Sequence, residues 1–171
     1  MNNISNTEER FEDIAIHNTN NWFRYRTGGF IEHDGKYLFI KSMFADYCYM
    51  IGGAVHIGEE SSECIEREVY EEAGIKARAE LLSVVCENFF LGKEGNIDGK
   101  DCHVLEFYYR MKIEDMTELK KINDEGEELV WLSIDEMKKT TIMPSFITER
   151  IEEILSTEHT IHIIEDRDKR K

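Results

Sequence analysis

At 171 residues and 20.1 kDa, with 41% hydrophobic residues, the chain is long enough for one domain with a real core and short for two. Its net charge of −15, from 36 acidic and 21 basic residues, argues against nucleic acid or anionic membrane as a partner, since both need Lys and Arg patches. It does not exclude a small phosphorylated substrate, because a bound cation reverses the local field.

Residues 1–20 read as a polar N-terminal arm, either a frayed helix or a segment packed on a neighbour, with only Phe11, Ile14 and Ile16 apolar. The opening MNNISNTEER lacks the apolar core of a signal peptide, and no apolar run approaches a membrane span. Cys48, Cys64, Cys86 and Cys102 form no C-x-x-C pair and no zinc-finger spacing, which predicts reduced thiols in a cytoplasmic protein.

From Trp22 to Ile40 two β-rich runs flank His33-Asp34-Gly35, a hairpin signal. Lys41 follows the second run, and SMFADYCYM leads as a loop to Gly52-Gly53. Further on, AELLSVVCENFFL and HVLEFYYRMKI predict two long strands around the exposed loop GKEGNIDGKD, and LVWL a short one. Ser133 with Glu136 three residues on predicts a capped short helix, and Pro144 opens a last helix carrying Ile147, Ile151, Ile154 and Leu155. A domain over residues 21–160 and a solvated, charged tail over 161–171 complete the expectation.

Residues 53–75 hold the densest chemistry, GAVHIGEESSECIEREVYEEAGI. The pattern predicts a glycine-marked loop and one helix, capped by Ser61 or Ser62 at its start and ended by a left-handed Gly74. Ile65, Val69 and Ala73 should face the core. Glu68, Glu71 and Glu72 stand at i, i+3 and i+4, where like charges cost a few tenths of a kcal/mol per pair. Their oxygens suit a hard cation such as Mg²⁺ or Mn²⁺, which relieves that repulsion; the alternative is a solvated acidic face.

As a whole, Gly53, Glu59 and the run Arg67-Glu68-Val69-Tyr70-Glu71-Glu72-Ala73-Gly74-Ile75 resemble the Nudix box, G-x5-E-x7-R-E-U-x-E-E-x-G-U with U apolar, and every fixed position is filled. The element order over residues 22–156 is also similar to that family. The resemblance implies an α/β/α sandwich around a mixed sheet, and a hydrolase that cleaves the diphosphate of a small nucleoside diphosphate linked to another group. Carried over by position, Glu68, Glu71 and Glu72 are metal ligands with the Gly53 carbonyl, and Mg²⁺ or Mn²⁺ is the cofactor. Arg67 orients Glu68 or pairs with Glu59, and Glu59 braces the loop. The general base is Glu128, ahead of the Trp131 strand, or Glu68; Lys41 resembles a phosphate-contacting position.

Some marks of subfamilies are missing. Ile51 replaces the Pro often found before the Gly-Gly pair, no Pro follows the box at the spacing of ADP-ribose hydrolases, and the added motif of the coenzyme A type is absent. Nucleoside triphosphates and nucleotide sugars or ADP-ribose therefore stay open as substrates. Dimerisation, common in the family, makes a homodimer a further expectation, and the alternative to an enzyme is a Nudix-fold binding or regulatory module without catalysis.

Overall fold

In this computed structural model, residues 12–93 and 95–166 are described. Asp34 and Gly35 both take positive φ, 51° and 75°, as a type I′ turn requires, and join β2 (Asn21–His33) to β3 (Lys36–Lys41). The hairpin pairs only next to that turn, at Glu32–Tyr37 and His33–Lys36, and then its strands part. Along one edge, β2 runs parallel to β6 (Asp101–Asp115) from Asn21 to Ile31, and β6 is antiparallel to β5 (Lys76–Leu91). Meanwhile β3 pairs with β7 (Glu128–Ser133) and with the short β4 (Cys48–Tyr49).

With β8 (Ile142–Met143), β9 (Ile161–Asp166) and β1 (Ala15–His17), the strands run β8-β4-β3-β2-β6-β5-β9, with β1 on β2 and β7 on β3. Helix α1 (Ser61–Ala73) buries Ile65, Val69 and Ala73 against Ile31, Leu38 and Ile40 on one face. On the other face α2 (Ile134–Met137), α3 (Phe146–Glu149) and α4 (Ile151–Ser156) pack Met137, Phe146, Ile147, Ile151 and Ile154 onto Phe30, Phe39, Val84 and Tyr108. The result is an α/β/α sandwich around a mixed sheet, as expected.

At several places the structure departs from what the sequence predicts. The N-cap of α1 is Glu60, whose N–H donates to the Glu63 carboxylate at 3.3 Å, while the Ser61 hydroxyl is drawn away to Tyr109 at 2.7 Å. Residues 15–17 are a strand on β2 rather than a frayed helix; residues 1–11 of the arm lie outside the described residues. The last helix breaks at Arg150 into α3 and α4, though its isoleucines keep their inward face. Residues 161–166, taken as part of a solvated tail, form the edge strand β9, parallel to β5 from Val84 to Phe89. Its period of two explains this: Ile163 turns into the core beside Val84 and Cys86, and Ile164 turns out. Residues 167–171 lie outside the described residues.

Gly74 ends α1 as read, at φ 68°, where any Cβ would meet the Glu118 carbonyl. Ser133 caps α2, with its N–H held by Glu136 at 2.7 Å.

If β9 belongs to the core, Ile163→Ala should lower unfolding stability by about 2–4 kcal/mol. Ile164→Ala, at 65% exposure, should stay within about 0.5 kcal/mol of the parent. Urea denaturation of the two variants side by side measures the contrast.

Candidate active site

The second edge of β2 is shared by three segments. β1 covers Trp22 to Arg24, the hairpin partner β3 covers Glu32 and His33, and the chain just before α1 fills the stretch between. There Thr27 N–H donates to the Gly53 carbonyl at 2.9 Å, Gly29 N–H to Ile51 at 3.0 Å, and Val55 N–H to Tyr25 at 3.1 Å. This approach leaves no room for a side chain on Gly52, whose Cβ would stand 2.0 Å from the Thr27 carbonyl oxygen. A Cβ on Gly53 would fall 2.2 Å from the Glu68 carboxylate, so that carboxylate rests on bare backbone. The two glycines thus bring the start of the box and the middle of α1 together at the sheet edge.

Arg67 is the hub of the carboxylates. Its guanidinium donates to Glu59 at 2.8 and 3.1 Å, to Glu68 at 2.8 Å and to Glu71 at 3.1 Å, and it also reaches the Ala54 carbonyl at 3.3 Å. It therefore makes both contacts expected of it. These bonds raise the Arg67 pKa further, and they hold Glu59 below the usual carboxylate range in spite of its burial, helped by the His56 N–H. Below the loop the buried Cys64 thiol, pushed up to about 12 by desolvation, stays protonated and bonds the Ala54 carbonyl at 3.3 Å.

Glu72 is different. One of its carboxylate oxygens is buried and without a hydrogen-bond partner. Burial and the neighbouring Glu68 push its pKa up to about 8, against the pull of Arg26 and the Gly52 N–H. A buried carboxylate with an unmatched oxygen next to a second carboxylate has the donor chemistry of a hard divalent cation site. Among the described residues, however, no three acidic, histidine or cysteine side chains converge on one point as a closed site requires. The reason is Arg67, which draws Glu68 and Glu71 to itself while Glu72 faces Arg26.

Beside this edge opens a cavity of about 630 Å³. Trp22, Arg24 and Arg26 alternate along β2 on its floor, with Val104 and Glu106 from β6 and Asn88 and Phe90 from β5. Phe44, Tyr47 and Tyr49 wall one side, and Glu125 and Glu127 come from the loop before β7. Arg26 joins cavity to box: it lines the former, and its Nη2 donates to the Gly52 carbonyl at 3.1 Å. Although burial works against its charge, Glu106, Glu72 and Glu68 raise its pKa.

The predicted site residues thus fall into two groups. Gly53, Arg67, Glu68, Glu71 and Glu72 are gathered within one loop and one helix. Lys41 and Glu128 face each other in register at the exposed ends of β3 and β7, and neither lines the cavity. Glu127, next in sequence, is buried and accepts from the Tyr49 hydroxyl and from Asn123 Nδ2 at 3.4 Å. Arg24, Arg26 and Glu106 were not singled out from the sequence. Their signal was present as charged residues at every second position of strands whose other residues are largely apolar.

A glutamate-rich helix, its glycine loop and an arginine-lined cavity are what an enzyme acting on phosphoric anhydrides requires. The chain belongs to the Nudix family, whose NUDIX domain matches residues 22–150, and it is a Nudix hydrolase. Among solved structures it is similar to a NUDIX hydrolase from Nitrosomonas europaea, with 18% identity, a TM-score of 0.64, and 88% of this chain and 82% of that one covered. A MutT protein from Bacillus halodurans has 19% identity and a TM-score of 0.65, with 86% and 93% covered. An ADP-ribose pyrophosphatase from Streptococcus suis has 14% identity and a TM-score of 0.53, with 83% and 98% covered. At these identities the likeness is one of fold. No curated protein gives a significant match. Among the described residues, no helix is long and apolar enough to cross a membrane.

Two outcomes follow for the site. Between its ordinary value near 4.5 and about 8, Glu72 holds a proton in the folded protein that the unfolded chain has released. Stability of the chelated protein should therefore fall as pH rises through that window, and thermal melts should show the fall diminished in Glu72→Gln and by added Mg²⁺. Gly53→Ala, whose methyl displaces the Glu68 carboxylate, should weaken Mn²⁺ binding in a titration with a far smaller effect on the melting temperature.

Proposed function

We propose that this chain is a divalent-cation-dependent hydrolase of a small nucleoside diphosphate linked to a further group, a nucleoside triphosphate or a nucleotide sugar of the ADP-ribose type. One observation carries the reading: the buried, unmatched oxygen of Glu72 stands beside Glu68 on the Gly52–Gly53 backbone. Glu68, Glu71, Glu72 and the Gly53 carbonyl would hold Mg²⁺ or Mn²⁺, which when bound stabilises charge gathering on the bridging and leaving oxygens and acidifies water.

Everything else falls to the chain's own groups. Arg67 holds the Glu68 carboxylate in place, and its planar fork also fixes Glu59, so the loop and the helix are tied together. Arg24 and Arg26 line the cavity and offer guanidinium groups to a diphosphate. In the aromatic part of the cavity, Trp22, Phe90 and Tyr47 supply stacking surface for a base. Glu128 is exposed outside the cavity, Glu127 is engaged by Tyr49 and Asn123, and Glu125 lines the cavity close enough to Glu72 to act on its charge. Glu125 is thus the loop residue best placed to accept a proton from attacking water, with Glu68 as the box candidate. The buried cysteines suit a reducing compartment, and we assign the protein to the cytoplasm on that basis.

Phosphate release from a nucleotide panel, with Mg²⁺, Mn²⁺ or chelator and a coupled phosphatase, tests the reading. Turnover should require the cation and fall on the order of 10²-fold or more in Glu72→Gln. Cation binding without turnover on any nucleotide would favour the non-catalytic binding module instead.

A further inference from the structure

We infer that Glu106 is a positioning residue that acts through Arg26: by drawing on the guanidinium charge from the neighbouring strand, it keeps that charge from competing with a cation for Glu68 and Glu72. The inference rests on the proposed cation site and extends it to a residue of another strand.

Glu106 is a carboxylate only 3% exposed, on the floor of a cavity whose proposed ligand is an anion. Taken alone it would repel that ligand and would be costly to bury, so its charge has to be matched within the protein. On β6 it stands in register with Arg26 of the parallel neighbour β2, and in-register residues of parallel strands share a face. Asn88 Nδ2 donates to its Oε2 at 3.3 Å, and the buried Tyr108 hydroxyl also bonds it. These neutral donors orient the carboxylate without cancelling its charge, and Arg26 is the cation it acts on.

On its far side Arg26 meets the box. Its Nη2 donates to the Gly52 carbonyl, the Gly52 N–H bonds the Glu72 carboxylate, and the Glu68 carboxylate rests on Gly53. The guanidinium therefore interacts with Glu106 of the neighbouring strand and with the pair Glu68 and Glu72 of the box. The one positive charge is divided between the two sides. Neutralising Glu106 leaves the whole of it to Glu68 and Glu72, where it opposes a divalent cation; removing both charges withdraws the competitor. The weakening caused by loss of Glu106 thus depends on Arg26 being present. A residue that only filled space would not show such dependence.

Mn²⁺ binding to the full chain, followed by the electron paramagnetic resonance of free Mn²⁺, reads this without any substrate. In Glu106→Gln the Mn²⁺ dissociation constant should rise roughly fivefold or more. In the double variant Arg26→Met/Glu106→Gln it should return to the parent's value or below. Unchanged affinity in folded Glu106→Gln overturns the inference, as does equal weakening in both variants, which marks a structural role alone. Should Glu106→Gln fail to fold, Glu106→Asp, which retains the charge but withdraws it by one methylene, should weaken Mn²⁺ to a lesser degree, and no change there overturns the inference equally. Absence of Mn²⁺ binding in the parent chain would instead remove the cation site itself.

Discussion

The backbone pairing of residues 51–55 with the middle of β2 is the constraint on which the rest depends. Three hydrogen bonds, from Thr27, Gly29 and Val55, place a loop where a regular hairpin would have continued β3 along β2. Because β3 leaves after two residue pairs, the sheet divides, and the loop and the cavity occupy the division. Gly52 is what allows the loop to come so near, since any larger residue would meet the Thr27 carbonyl. The geometry of the site thus starts from a hydrogen-bonding opportunity on a strand edge, and the side chains follow from it.

Charge is arranged around that backbone in two tiers. Arg67 serves the helix side, binding Glu59, Glu68 and Glu71 with one planar group. Arg26 serves the sheet side, between Glu106 and the pair Glu68 and Glu72. In a chain of net charge −15 these arginines sit where carboxylates are most crowded, and each touches backbone carbonyls of the loop as well as acids. They join mechanical and electrostatic roles: the bonds that fix the loop also set how much negative charge is left for a cation. Glu72 keeps an oxygen that neither arginine satisfies.

The legible parts of the sequence were those governed by local rules. Asp34-Gly35, Gly74 and the Ser133–Glu136 box each state a backbone conformation in two to four residues, and the structure has all three. The apolar stripe of α1 was readable for the same reason. What could not be read depended on partners far away in the chain. Ser61 should have capped α1 on propensity, but Tyr109, 48 residues on, takes its hydroxyl. Residues 161–166 looked like the start of a charged tail because a six-residue strand shows only three inward positions, and it takes β5 to give Ile163 a place. Adjacency to the Trp131 strand points to Glu128, whereas the loop conformation brings Glu125 and Glu127 to the cavity.

The same distinction separates the family's chemistry from this chain's specificity. The box lies within 23 consecutive residues of one loop and one helix, so its pattern survives as a string, and the NUDIX domain match follows from it and from the order of strands around it. The cavity is assembled from β2, β5, β6 and the loops around them, and among its lining positions only Phe90 with Leu91 and Met143 with Pro144 are adjacent in the chain. Its floor is written in alternation: Trp22, Arg24 and Arg26 on one strand, Val104 and Glu106 on the next, Asn88 and Phe90 on the third. Arg26 touches both, lining the cavity and donating to the Gly52 carbonyl beside the box, which puts the in-register Arg26 and Glu106 where the two meet.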